Sequence, residues 1–213
     1  MTSITNPSTG RPLRSDGLRS RQAILASAAR LATVEGLRGL SIGGLASAIG
    51  MSKSGLYAHF GSKEELQLAT IDAAAKIYDD LVVSPAMAAN RPAERLEALL
   101  EGFLRYVVGD VFPGGCFFAA AEAELDSHRG RVRDQIAEFQ SVWLRRLADL
   151  VAEAQAAGEL DAGEDPEQLA FELNSMLGQA NSLWVMFRDP VAADRARTGI
   201  ERRLREAGRR AAD

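Results

Sequence analysis

The sequence predicts an all-α fold, a small basic head of three short helices on a larger helical body, and three observations predict it. Runs of β-branched residues are absent, while Ala, Leu, Glu and Arg dominate, which favours helix. Start and stop residues divide the chain into about nine stretches of helical periodicity, with no internal repeat. Charge is also split. Residues 1–63 carry eight Lys/Arg (Arg11, Arg14, Arg19, Arg21, Arg30, Arg38, Lys53, Lys63) against Asp16 and Glu35. The rest of the chain is acidic, and the overall formal charge is −4. A basic end on an acidic body is the distribution of a protein that presents one end to phosphate.

The elements follow in order. Residues 1–17 contain Pro7, Gly10, Pro12 and Gly17 and read as a flexible basic arm. A first helix spans Leu18–Val34, with Ile24, Ala28 and Leu31 on one face, and Gly36 stops it. Ser41 caps a second helix ending near Ile49, and Gly50 permits a tight turn. Ser52 caps a third over Lys53–His59. Ser62-Lys63-Glu64-Glu65 is a capping box opening a long helix to about Val82. Ser84, Pro85, Asn90 and Pro92 then break the chain. Further helices are expected over Pro92–Asp110, Cys116–Leu125 and Arg129–Ala157, the first two separated by Phe112-Pro113-Gly114-Gly115. Asp165-Pro166-Glu167-Gln168 starts one reaching Arg188, and Asp189-Pro190 starts the last, to Ala207. The tail 209–213 reads as frayed. The units are an arm (1–17), a head (18–64) and a body (65–213).

Composition narrows the function classes. A chain of 213 residues with 46% hydrophobic content builds a real core. The one cysteine, Cys116, excludes an intrachain disulfide, and with only His59 and His128 it argues against a zinc site. No segment has the length and apolarity of a membrane span, and the N-terminus lacks an apolar signal region, so a reducing cytosol is the expected compartment. No Gly-rich phosphate loop or catalytic constellation appears. His59 and Ser54 share a short exposed helix with no acid partner, so an enzyme is not expected.

The second and third helices meet the physical demands of a helix-turn-helix. Ala46 is small enough for a steep crossing, and Gly50 tolerates the turn. Leu45, Ile49, Met51 and Leu56 can pin the pair. The third helix then projects Lys53, Ser54 and Tyr57 outward, toward a major groove.

At this point the sequence resembles a family. Residues 23–66, AILASAARLATVEGLRGLSIGGLASAIGMSKSGLYAHFGSKEEL, are similar to the DNA-binding head of TetR-family repressors, most densely over Ser52–Leu66. Gly43 and Gly44, early in the second helix, depart from good helix formers and weaken it by roughly 1 kcal/mol each.

The resemblance implies a ligand-responsive regulator that binds a palindromic double-stranded operator as a homodimer and is released by a small-molecule effector, with no other cofactor. Activation instead of repression stays open. A helical adaptor without DNA binding is the rival, and intact Tyr57, His59 and Lys63 argue against it. The implied DNA-binding set is Arg21, Ser41, Ser52, Lys53, Ser54, Gly55, Tyr57, His59 and Lys63. Ser41 caps and can donate to phosphate. Tyr57 and His59 look like the family's phosphate-touching pair. Lys63 is the charged clamp, and Lys53, Ser54 and Gly55 lie nearest base edges. Arg21, with Arg19 or Arg14, can reach phosphate or the minor groove. The plainer alternatives are a half-buried Tyr57, a His59 that only ends its helix, and solvated lysines.

For the body, the resemblance implies a dimer surface on the last two helices, with Phe171, Leu177, Ala180, Leu183, Phe187, Ile200 and Leu204 as candidates. An ordinary core helix is the alternative. An effector pocket could be lined by Phe103, Tyr106, Phe117, Phe118, Trp143, Met176 and Trp184. Glu122, Gln140 and Asn174 are its candidate polar groups; plain core is the alternative. Cys116, after Pro-Gly-Gly, is either a buried structural thiol or one activated at a helix start.

Overall fold

The computed structural model describes residues 13–189 and 191–208, with side chains from Ser20 onward. The described residues form ten α-helical segments: α1 Leu13–Glu35, α2 Ile42–Ile49, α3 Lys53–Phe60, α4 Lys63–Tyr78, α5 Ser84–Met87, α6 Pro92–Val108, α7 Phe117–Leu125, α8 Arg131–Ala156, α9 Pro166–Phe187 and α10 Ala192–Ala207. The first helix therefore starts at Leu13, and residues 13–17, expected in the arm, belong to it. Arm residues 1–12, Pro190 and the tail 209–213 lie outside the described residues, as do the side chains of Arg14 and Arg19.

Local chemistry sets most boundaries. Ser41, Ser52 and Ser62 each accept from the backbone N–H three residues on, worth about 1 kcal/mol apiece. Gly50 takes the left-handed conformation (φ 69°) that ends α2. The box at Ser62 is only half made. The Ser62 N–H donates to the Phe60 carbonyl, and Glu65 pairs with Arg131 of α8. The break expected at Ser84-Pro85 is not there. A π-helical turn, Asp79–Val83, joins α4 to α5, with Ser84 N–H donating to the carbonyl five residues back. The wider turn accommodates Pro85, which has no N–H to give and whose ring would crowd an α-helical turn. The chain breaks after Met87 instead.

In the head, α2 packs on α3 and α1 packs on α4. Ala28, Ala29, Leu45, Ala46, Leu56 and Leu66 are buried between them. The body is a bundle in which α8 and α9 pack together, α6 lies against both, and α10 lies along α9. Tyr78 sits at its centre, with the rings of Phe103, Tyr106, Phe118, Phe139 and Trp143 all within 6.4 Å.

Candidate nucleic-acid interface and effector site

Two buried side chains hold α3 against the head. Leu56 and Phe60 face inward, and that orientation turns Lys53, Ser54, Tyr57 and Ala58 outward to solvent. Tyr57 is 57% exposed, a large aromatic left open on a small basic domain. Gly55 is half-buried, with its N–H on the Ser52 hydroxyl at 3.1 Å. The Ser41 hydroxyl accepts from Gly44 at 3.0 Å, so the start of α2 is ordered beside α3. His59 is half-buried at the end of α3. The Arg21 guanidinium lies 5.0 Å over the Phe60 ring, a cation–π contact that fixes its head group at that end of the helix. Arg21 and His59 share a cleft with Glu65, Asp72 and Arg131. Lys63 is exposed, yet its ammonium donates to the Arg38 carbonyl at 2.5 Å, clamping the α1–α2 turn.

That turn is also held by a residue of the body that the sequence did not flag. Glu124 of α7 accepts from Leu37 N–H at 2.7 Å and Arg38 N–H at 3.0 Å. Gln67 of α4 donates to the Leu37 carbonyl at 2.7 Å. Gly36 (φ +82°) leaves room for the carboxylate, because a Cβ there would meet it within 3.0 Å. One carboxylate of α7 thus spans two consecutive amides of the α1–α2 turn and helps hold the head to the body. Gly36 was the available signal, read only as a stop.

The expected effector pocket divides. Phe103, Tyr106, Phe117, Phe118 and Trp143 are buried in the interior. Tyr106 Oη and Trp184 Nε1 are buried without a partner. Desolvation pushes the Tyr78 and Tyr106 phenols well above their ordinary range. Glu122 and Gln140 line a shallow cleft between α7 and α8 with Asp126 and Arg133. Glu122 is exposed and receives a hydrogen bond from Gln140. Asn174 accepts from Trp143 Nε1 at 2.8 Å through its carbonyl oxygen. Met176 is half-buried, its sulfur against Gly199 of α10, so it packs between the last two helices. Cys116 does precede α7, but burial pushes its thiol up to about 11, which overrides the lowering effect of the Ala119 and Phe118 amides.

The expected dimer surface also needs correction. Leu177, Ala180 and Ile200 are buried inside the chain's own body and cannot meet a partner, and Leu183 and Leu204 are half-buried. What α9 exposes is a stripe of Phe171, Ser175, Gly178, Ser182 and Met186 at helical spacing, with Phe187 beside it. The apolar ends are 63% (Phe171) and 73% (Met186) exposed, and the middle is small.

A head with a capped, outward-facing second helix after a glycine turn, joined to an all-helical body, defines a helix-turn-helix DNA-binding protein. Residues 24–70 match the family "Bacterial regulatory proteins, tetR family", and residues 92–200 match "Tetracyclin repressor-like, C-terminal domain". The second match spans about half of the chain, and the chain belongs to the TetR family of transcription regulators, DNA-binding proteins rather than enzymes. Among curated relatives, the transcriptional regulator AcuR of Cereibacter sphaeroides is 28% identical over 173 residues, covering 77% of this chain and 76% of that protein. A TetR transcriptional regulator from Chloroflexus aurantiacus J-10-FL superimposes with a TM-score of 0.82 at 26% identity, covering 90% of this chain and 97% of that one. AibR, solved in complex with isovaleryl coenzyme A and operator DNA, shares the fold with a TM-score of 0.68 at 24% identity, over 84% and 95% of the two chains. No helix among the described residues is long and apolar enough to cross a membrane.

Proposed function

We propose that this chain is a ligand-responsive repressor that grips a palindromic duplex as a homodimer and lets go when a small molecule enters its body. The observation that carries this is the α3 face: Lys53, Ser54 and Tyr57 stand in solvent while Leu56 and Phe60 of the same helix are buried. Lys53, Ser54 and Gly55 meet base edges. Tyr57, His59, Arg21, Lys63 and the helix starts capped by Ser41 and Ser52 meet phosphates. Two such helices about one DNA turn apart need two chains, and the exposed α9 stripe is the surface that pairs them. The effector enters the aromatic interior around Tyr78, where the buried Tyr106 hydroxyl would donate to a hydrogen-bond acceptor. It releases DNA only to the extent that it prefers the conformation in which the two heads are wrongly spaced.

The test is duplex selection from a random pool with the full-length chain, followed by affinity across salt concentrations. Roughly six to eight neutralised phosphates per dimer predict a steep salt dependence. No enriched duplex, or an enriched one bound equally at low and moderate salt, rejects the proposal.

A further inference from the structure

The Pro113-Gly114-Gly115 stretch breaks the chain between α6 and α7, and DNA recognition by α3 makes no use of it. Its surroundings say what else it does. On one side it meets α1: Arg30 donates to the Val111 carbonyl at 2.8 Å, and Gly114 N–H donates to the Thr33 hydroxyl at 3.2 Å. On the other it meets α9. Arg188 reaches the Asp110 carboxylate at 3.1 Å and the Pro113 carbonyl at 2.7 Å, and Asn181 accepts from Cys116 N–H at 2.8 Å. Both glycines are wedged. A Cβ on Gly114 would fall within 3.0 Å of the Thr33 backbone, and one on Gly115 within 3.0 Å of Val185 and Asn181. Arg188 itself holds a left-handed conformation (φ 50°), which is uncommon for a residue with a side chain.

We infer that residues 110–116 are a strut that sets the position of the DNA-binding head relative to the α9 pairing helix, with Gly114 as its head-facing contact. The inference rests on the proposal that paired chains use both heads on one duplex. Because α9 carries the pairing stripe and α1 carries the head, the thickness of this loop fixes how far apart two recognition helices stand. The loop has no side chain between Thr33 and α9 at its tightest point, so the spacing is at its minimum there. Any added atom must push the head away from the α9 seam.

Gly114→Ala adds that atom. It leaves α2, α3 and the α9 stripe untouched. Affinity is measured, for the full-length wild-type and variant chains, on a duplex with both selected half-sites and on one with a single half-site. Tethered second-site binding is worth about 100-fold or more and vanishes when geometry forbids simultaneous engagement. The variant should bind the single half-site as the wild type does. Its two-half-site affinity should fall toward that same value, and reselection from a random pool should return a different half-site spacing. Arg188→Gly removes the α9 tether while relieving the left-handed backbone, and should shift the same ratio by a smaller factor. It decides the matter if Gly114→Ala does not fold. A merely structural role weakens both duplexes together. Equal ratios in wild type and a folded variant, with unchanged spacing, overturn the strut. A wild type that gains nothing from the second half-site defeats the functional proposal instead, and the strut with it.

Discussion

Replacing Glu124 with alanine removes the one carboxylate that joins α7 to the α1–α2 turn. Its two hydrogen bonds, to Leu37 N–H at 2.7 Å and Arg38 N–H at 3.0 Å, differ in worth. The Arg38 amide is exposed and water replaces the lost acceptor at little cost. The Leu37 amide is partly buried, and leaving it unpaired costs about 1–3 kcal/mol, with charged acceptors at the upper end. The expected loss is about 2–3 kcal/mol. For a chain of this size that lowers the melting temperature by about 4–12 °C. Glu124→Gln keeps one acceptor oxygen but turns an N–H₂ toward the second amide, so it should lose at least half as much. Circular dichroism melting gives the first number. Amide exchange over residues 30–41 gives the second, with Leu37 and Arg38 losing protection first. A Glu124→Ala melt within about 1 °C of wild type, with unchanged exchange in the turn, refutes the clamp.

Further outcomes are expected. Lys53→Gln should leave the melt unchanged, because Lys53 is exposed, while relaxing the base preference at one position of each half-site at a cost of about 1–3 kcal/mol; an unchanged preference removes Lys53 from the base contacts. Met186→Glu, at a position 73% exposed, should give a folded chain that sediments as monomer; persistence of the dimer moves the interface elsewhere. Burial pushes the Cys116 thiol from its ordinary value near 9 up to about 11 in the folded chain. A raised folded value means its contribution is fully present below pH 9 and is lost as pH climbs from 9 to 11, by about 2–3 kcal/mol in all. Urea unfolding from pH 8 to 10 should show the onset, with the Tyr78 and Tyr106 phenols adding to it above 10, and Cys116→Ala should flatten the part below 10. Equal slopes in both chains would show that the thiol is not desolvated.

The head was legible because its determinants are local. Ser41, Ser52, Ser62 and Asp165 each cap the helix that follows, and Gly50 turns between α2 and α3. The family-like run over Ser52–Leu66 sits on the same chemistry. Misreadings arose where distant packing decides. Pro85 reads as a breaker until a π turn accommodates it. The α9 sequence is apolar around much of its circumference, so periodicity could not tell the buried Leu177 from the exposed Phe171 and Met186. Glu122, Gln140 and Asn174 looked like ligand-orienting groups, but partners on other helices occupy them. Glu124 bonds 86 and 87 residues away, and no local pattern announces that.

The most direct test of a paired-head regulator is the distance between two copies of the recognition helix. Spin labels at Ala58→Cys in a Cys116→Ala background, read by pulsed dipolar spectroscopy on the selected duplex, should give one narrow distance near 34–36 Å, about one DNA turn. A signal without dipolar coupling, or a distance unrelated to the helical repeat of DNA, contradicts it.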